Sequence, residues 1–196
     1  MRSALPRRED PSGRGARGRI LQAAQVLFRQ NGINATGVAE LAAAAQVSKR
    51  TLYQHFAGKD ELVAAYLRAV GDDPQAGPER ALARSDLTPR ARLLELFATL
   101  ADDDHPLRGC PFVNAAAELA EPGHPGHRAA AEHKQEFAQQ LADLAREAGA
   151  HDPDRVGRRL ALLYDGAAAQ TVIFDSGDAA AEAHAMAAQI LDEAID

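Results

Sequence analysis

Apolar residues recur along most of the chain at the 3.6-residue spacing of helices that bury one face against a core. Helix stops and caps divide this pattern, such as Asn31-Gly32 after the first stripe and Thr88-Pro89 before a later one. The pattern predicts nine helices, over about residues 14–31, 37–45, 49–55, 59–70, 88–100, 109–120, 128–148, 153–174 and 178–195. The predicted fold class is therefore all-α.

The run TVIF at residues 171–174 is the one place where a strand could be argued. A helical stripe through Leu160, Tyr164 and Ala167 continues into this run, and the sequence offers no second strand to pair with it. We therefore expect the run to be helical.

The second and third predicted helices are short, and a turn at Gln46-Val47 separates them. Ser48 is a good N-cap for the third helix, and Leu52 and Phe56 fall on its inner face. The residues left to face outward are Lys49, Arg50, Thr51, Tyr53 and His55. Two short helices joined by a tight turn, with an exposed polar face on the second, are the layout of a helix-turn-helix.

Composition supports the helical interpretation, and charge distinguishes the N-terminal part. The 196 residues include 44 Ala and 21 Leu but only 8 Val, 5 Ile and 9 aromatic residues, which favours helices over strands. The net charge of −6 is uneven: residues 1–60 carry 10 Lys+Arg against 4 Asp+Glu (+6), and the remainder 12 against 24 (−12). A basic segment in an acidic protein indicates a nucleic-acid or membrane partner for that segment.

Compartment and cofactor chemistry follow from what the sequence lacks. No run of about 18 apolar residues and no secretory signal is present, so we expect a cytoplasmic protein without a membrane partner. Cys110 is the single cysteine, which excludes an internal disulfide; a sensing role for its thiol is the alternative to an ordinary structural residue. Neither metal-ligand spacing nor a phosphate loop or nucleophile motif is found, so no metal, cofactor or catalytic residue is predicted.

A dense motif runs through residues 19–62. Its members are Ile20-Leu21, Ala24, Leu27-Phe28, Gly32, Thr36, Leu41-Ala42, Val47-Ser48, Thr51-Leu52-Tyr53, His55-Phe56, Lys59 and Leu62. At these positions the chain resembles the DNA-binding region of the TetR/AcrR family of bacterial transcriptional regulators. The resemblance implies an N-terminal three-helix DNA-binding head followed by a helical bundle that binds a small-molecule effector and forms a homodimer.

This organisation divides the chain into four parts. We expect a disordered basic arm over residues 1–13, a helix-turn-helix DNA-binding domain over 14–58, a connecting helix over 59–70 and a ligand-binding and dimerisation domain over 71–196. Gly, Pro and Asp clusters at the start of the last part, residues 71–87, predict a mobile connection.

The third helix is expected to read bases. A helix fits the major groove with its N-terminal residues at the base edges, which places Lys49, Arg50 and Thr51 for sequence recognition. Arg50 is the favoured reader, because its planar guanidinium can donate two hydrogen bonds to guanine. An ordinary solvated polar face is the alternative.

Backbone contacts are expected on both sides of the groove. The resemblance implies that Tyr53 and His55 contact phosphates or base methyl groups and that Lys59 contacts a phosphate. It also implies that Thr36 and Gly37 hold the opposite side. One departure from the family pattern is Gln46, which stands where the family commonly has a glycine in left-handed conformation, at a cost of about 1 kcal/mol.

In the body, the resemblance implies an effector pocket and a dimer interface formed by the last two helices. Candidate pocket residues are Phe97, Phe112, Asn114, Phe137, Leu141, Tyr164, Gln170 and Phe174, an apolar set with a few polar groups. Ordinary core packing is the alternative for each. Alanine-rich stretches in the last two helices suit close packing in a two-fold dimer, with an intramolecular alanine-rich core as the alternative.

The sequence therefore predicts a ligand-released repressor that binds a palindromic double-stranded DNA operator as a homodimer. The alternative is a helical small-molecule-binding or catalytic protein whose head no longer binds DNA.

Overall fold

The computed structural model describes residues 15–74, 77–101, 109–174 and 176–195. Within these ranges the chain is helical throughout, as predicted, with ten α-helices, a short 3₁₀ turn at Thr99–Ala101 and no strand. The helices are α1 (Ala16–Asn31), α2 (Val38–Ala44), α3 (Lys49–His55), α4 (Lys59–Gly71), α5 (Gly77–Leu82), α6 (Pro89–Ala98), α7 (Pro111–Glu118), α8 (Pro125–Glu147), α9 (Pro153–Phe174) and α10 (Asp178–Ala194). The basic arm predicted for residues 1–13 lies outside the described residues.

The structure has one helix that the sequence pattern did not predict. This helix is α5, which lies inside the segment predicted as a mobile connection, residues 71–87. That prediction was wrong for residues 77–82, because Ala81 and Leu82 are buried against the body's core. The Arg92 side chain also donates a hydrogen bond from Nε to the Leu82 carbonyl oxygen, 2.7 Å away, at the end of α5. The run at residues 171–174 is helical, as expected, and forms the end of α9.

Two hydrophobic cores organise the molecule. The first joins α1 to α4 around residues such as Leu52, and it also includes Phe112 and Ala115 of α7 and Ala129 and Ala130 of α8. The second lies among α5, α6, α8, α9 and α10. Since α7 and the start of α8 pack with the first four helices, the N-terminal head is joined to the body by shared core as well as by chain connectivity.

Helices α8 and α9 approach each other closely at Gly157. A Cβ atom at this position would lie 2.6 Å from the backbone nitrogen of Ala142 and 2.7 Å from the carbonyl oxygen of Ala138. Only glycine avoids this overlap with helix backbone. The close approach fixes where α9 crosses α8, and with it the surface that α9 presents.

Candidate nucleic-acid interface

The turn between α2 and α3 has a defined backbone geometry. Gln46 has φ 53°, so the left-handed conformation expected at this position is confirmed for a residue that is not glycine. The Gln46 N–H donates to the Ala43 carbonyl at 3.0 Å, and the Val47 N–H donates to the Ala42 carbonyl at 2.9 Å. These bonds close the end of α2 and set the direction in which α3 leaves the turn.

Ser48 starts α3, as predicted. Its Oγ accepts a hydrogen bond from the Thr51 N–H at 3.0 Å, and the hydroxyl groups of the two residues are 2.8 Å apart. The cap satisfies a backbone donor that would otherwise lack a partner in the first turn. Because the Thr51 hydroxyl already has Ser48 as its partner, Lys49 and Arg50 are the freer side chains at this end of the helix.

The buried face of α3 determines which side chains project outward. Leu52 is fully buried and Phe56, directly after the helix, is 2% exposed. At 100° per residue, Arg50 and Gln54 lie on the side opposite to these two. The exposed residues of α3 are Lys49, Arg50, Tyr53, Gln54 and His55. Gln54 was not singled out from the sequence, although its position one turn after Arg50 was the available signal.

The cations of this face carry uncompensated charge. Within the described ranges no carboxylate lies at ion-pair distance from Lys49, Arg50 or Lys59, and both residues of α3 are exposed. Several cations of the body are paired instead, as Arg90 is with Asp192 at 2.6 Å. Unpaired cations on one exposed surface are suited to the phosphates of nucleic acid.

The side chain of Thr36 holds the turn between α1 and α2. Thr36 is fully buried, and its hydroxyl donates to the Gly32 carbonyl at 2.7 Å. A DNA contact by Thr36, which stays a prediction, would require this turn to move. Gly37, the N-cap residue of α2, is exposed on the head surface.

Four of the predicted pocket residues lie together in the second core. The Tyr164 ring lies 6.0 Å from that of Phe97 and 5.5 Å from that of Phe137, measured between centroids. Leu141 is fully buried in the same core. Burial raises the pKa of Tyr164, so its hydroxyl stays protonated and able to donate a hydrogen bond.

The other four predicted pocket residues do not lie beside these aromatic rings. Phe112 belongs to the first core and stacks on His133, with ring centroids 3.6 Å apart and planes at 9°. Asn114 is half-buried and lines a shallow cleft between α7 and the head, beside Tyr66. Gln170 and Phe174 are exposed, and Phe174 keeps 68% of its surface, so their part in a pocket lining stays a prediction. They lie on the last turns of α9, where neither side chain reaches the second core.

Other chemistry-bearing residues form no further centre in the described part of the chain. Cys110 is half-buried before α7 and is a free thiol. No three His, Cys, Asp or Glu side chains among the described residues are arranged to hold a metal ion. None of the described helices is long and apolar enough to cross a membrane.

A capped recognition helix with unpaired cations, set on a small helical head and followed by an all-helical body, defines a helix-turn-helix DNA-binding regulator. The chain belongs to the TetR family: residues 20–66 match the family described as "Bacterial regulatory proteins, tetR family". The solved structure of SCO4454, a TetR-family transcriptional regulator from Streptomyces coelicolor, superposes with a TM-score of 0.82 at 33% identity. That match covers 92% of this chain and 96% of SCO4454.

Curated relatives match less than half of the chain. The HTH-type transcriptional repressor KstR2 of Rhodococcus jostii is 38% identical over 95 residues, which are 48% of this chain and 46% of KstR2. The HTH-type transcriptional activator FasR of Mycolicibacterium smegmatis is 42% identical over 91 residues, 45% of this chain and 41% of FasR. The matched region thus spans less than half of either relative. The relatives confirm the expectation of a transcriptional regulator rather than an enzyme.

Proposed function

We propose that this protein is a cytoplasmic homodimeric repressor that binds a palindromic DNA operator and is released from it by a small-molecule effector. The observation that carries the proposal is the exposed face of α3, where Arg50 stands without a carboxylate partner in the described structure. Similarity to the repressor KstR2 over 48% of this chain supports repression.

In this proposal the head divides its contacts between bases and backbone. Arg50 donates to guanine in the major groove, and Gln54, one turn later, is placed to pair with adenine. The residues proposed to contact phosphates or base methyl groups are Gly37, Lys49, Tyr53, His55 and Lys59. A single head of this size gives weak binding, and two heads on a palindrome gain affinity through effective concentration.

An exposed apolar stripe on α9 supports a homodimer. Leu162 is 78% exposed and Ile173 is 69% exposed, and Gly166 and Ala169 lie between them on the same face. Large apolar side chains left in water on either side of small residues suit close packing against a second copy. Met186 of α10 is a further exposed apolar side chain, with 44% of its surface in water.

Sedimentation velocity tests the interface. Leu162→Glu places a charge in the stripe, so the variant should sediment as a monomer at concentrations where the unaltered protein is a dimer. Gln140→Glu on the exposed face of α8 is the matched control and should leave the dimer intact. Equal sedimentation of all three proteins would contradict the assignment of the stripe.

The effector is proposed to bind at the aromatic cluster of the second core. Phe97, Phe137 and Tyr164 lie ring against ring there, and an effector between them would take the place of the Thr99 side chain as partner of the Tyr164 hydroxyl. This chemistry fits an apolar or aromatic molecule that carries an acceptor oxygen. The ligand acts by binding more tightly to the conformation in which the heads do not match the operator.

Operator binding is tested with full-length protein and duplexes selected from a random-sequence pool. Fluorescence anisotropy should show sequence-specific binding that weakens steeply as salt is raised, because phosphate contacts release counterions. Arg50→Ala should cost about 1–3 kcal/mol on the selected operator and much less on unrelated DNA. Arg90→Ala, in the body, removes the same charge and should leave specificity unchanged. Absence of specific binding at low salt would overturn the proposal.

Activation is the second candidate function, because the relative FasR is an activator. A reporter gene placed behind the selected operator separates the two. Repression predicts higher expression when the regulator is absent, whereas activation predicts lower expression. The outcome decides the direction of control without affecting the DNA-binding assignment.

A further inference from the structure

One segment of the body is bonded to the head at two places. This segment, residues 118–127, links α7 to α8 and is called the α7–α8 connection below. At its start, the Asn34 N–H donates to the Glu118 Oε2 at 2.7 Å, and the Asn34 Nδ2 donates to the Glu118 carbonyl at 2.9 Å. Further along, the His124 Nε2 lies 3.3 Å from the Asp60 Oδ1. The segment thus holds two parts of the head that are 26 residues apart in sequence.

The two places where the connection contacts the head both lie beside residues proposed to contact the DNA backbone. Asn34 lies in the turn before α2, three residues before Gly37. Asp60 is in the first turn of α4, directly after Lys59. The α7–α8 connection therefore contacts the head next to Gly37 and Lys59, the residues proposed to contact the DNA on opposite sides of the groove.

The connection is braced internally. The His127 Nδ1 donates to the Leu119 carbonyl at 2.8 Å, and the Gly126 N–H donates to the His124 Nδ1 at 3.0 Å. Gly126 packs so closely that a Cβ atom there would lie 2.8 Å from the Val63 Cγ1 in α4. Movement of the head relative to α8 would have to break the polar bonds and this packing together.

We infer that the α7–α8 connection fixes the tilt of each head on the body and so determines the spacing between operator half-sites that the protein accepts. Glu118 and His124 are positioning residues in this arrangement. The inference rests on the proposed dimer, in which two heads must meet major grooves about 34–36 Å apart. A firmly held head accepts one spacing, whereas a loosened head accepts several.

The test compares three kinds of duplex: the selected operator, the same operator with one base pair inserted at its centre, and a single half-site. For the unaltered protein the insertion should weaken binding strongly, because only one head can then dock well. Glu118→Ala removes the carboxylate that accepts from the Asn34 N–H, so it should reduce that penalty by about tenfold, the effect of losing a charge-assisted hydrogen bond. Asn34→Ala keeps this bond and loses only the neutral one from Nδ2 to the Glu118 carbonyl, so it should reduce the penalty by about threefold. The affinity of each variant for the single half-site should stay within about twofold of that of the unaltered protein, because a single head can dock whatever its tilt on the body.

Glu121→Ala is the matched control. It removes the same charge from the same connection, and in the described structure the Glu121 side chain makes no hydrogen bond or ion pair with the head. Its penalty for the inserted base pair should equal that of the unaltered protein. An unchanged penalty in Glu118→Ala and Asn34→Ala, or an equal reduction in Glu121→Ala, would overturn the inference.

A measurement without DNA keeps the result independent of operator contacts. A nitroxide label at Ala39→Cys, in a Cys110→Ser background, reports the distance between the two heads of a dimer by pulsed electron spin resonance. The distance distribution should be narrow in the parent and broad with Glu118→Ala, while circular dichroism confirms equal helix content. Equal widths would contradict the positioning role. Loss of operator binding or of the dimer in the parent would instead contradict the proposed function.

Discussion

The Arg19 side chain on α1 donates from Nε to the Ala45 carbonyl oxygen, 3.2 Å away, where α2 ends. Carbonyl groups in the last turn of a helix lack intrahelical partners, so this bond satisfies a group at the start of the helix-turn-helix turn. It also ties α1 to the turn directly before Gln46. Arg19 belongs to the motif segment, but its partner became evident only from the fold.

Replacing Arg19 tests this tie. Arg19→Met keeps an apolar stem and removes the donor, so the free energy of unfolding should fall by about 1 kcal/mol in urea titrations. Preference for operator over unrelated DNA should also fall, because α3 is held less firmly. Arg68→Met, on the exposed side of α4, should leave both quantities unchanged. Full specificity in Arg19→Met would show that the turn does not need the bond.

The left-handed residue in the turn offers a stabilising change. Gln46 has φ 53°, a conformation that side chains with a Cβ adopt at a cost and glycine adopts freely. Gln46→Gly should therefore raise the free energy of unfolding by up to about 1 kcal/mol. Ala43→Gly, in the helical part of α2, should lower it by a similar amount. A loss of stability in Gln46→Gly would mean that the Gln46 side chain makes a favourable contact that outweighs the strain.

Close packing of α8 on α9 predicts a strong effect at Gly157. Gly157→Ala drives a methyl group into the backbone around Ala142, and overpacking of this kind should cost about 1–3 kcal/mol. Gly177→Ala, directly before α10, is the comparison, since no atom lies within 4 Å of its would-be Cβ and its backbone conformation suits any residue. That change should alter stability by less than about 0.5 kcal/mol. Thermal and urea unfolding at matched protein concentration distinguish the two, and equal effects would be inconsistent with the close approach.

The stack of His133 on Phe112 predicts a pH dependence of stability. Burial lowers the pKa of His133 from its usual 6.5 to about 4, so between these values the unfolded chain binds the proton more readily. The stability that the neutral His133 contributes is fully present above pH 6.5, the pKa of histidine in the unfolded chain, and is lost as the pH falls toward about 4. For a ring that keeps part of its surface in water, the loss near pH 5 should be about 1 kcal/mol.

Urea unfolding at neutral pH and near pH 5 measures this loss. His133→Gln should flatten the pH dependence, whereas His184→Gln, at an exposed position, should not. Glu79 lies 3.9 Å from His133, and burial raises the pKa of its carboxyl group, which favours the folded state as the pH falls. Because Glu79 is present in every variant, the difference between variants isolates His133. An unchanged pH dependence in His133→Gln would rule this histidine out as its source.

Local signals explain why most helices could be predicted. Ser48 caps α3 and Thr88 caps α6 through side chains that accept a backbone N–H three residues on, and these preferences act over a few residues. Helix α5 was missed because its six residues lie among glycines, prolines and aspartates, and its stability depends on packing against α6. Such tertiary support leaves little trace in a short segment.

The candidate site was predictable where it depended on helix periodicity. Leu52 and Phe56 face inward, which leaves Arg50 outward, and both facts follow from spacing alone. The burial of Thr36 could not be predicted, because it depends on the route of the chain after α1, where the Gly32 carbonyl becomes its partner. Pocket residues far apart in sequence were grouped by residue type, yet Phe112 and Phe174 have different neighbours from Phe97, and only the packing of helices could separate them.

The first core includes four residues of the body: Phe112, Ala115, Ala129 and Ala130. This limits how the head of this regulator can be exchanged for the head of another. A head transplanted from another regulator, cut at the end of α4, would meet a body surface shaped for the original side chains. Functional hybrids should therefore require exchange of α7 and the first turns of α8 together with the head. New operator specificities would then arise more readily by substitution on the exposed face of α3 than by swapping the N-terminal segment as a unit.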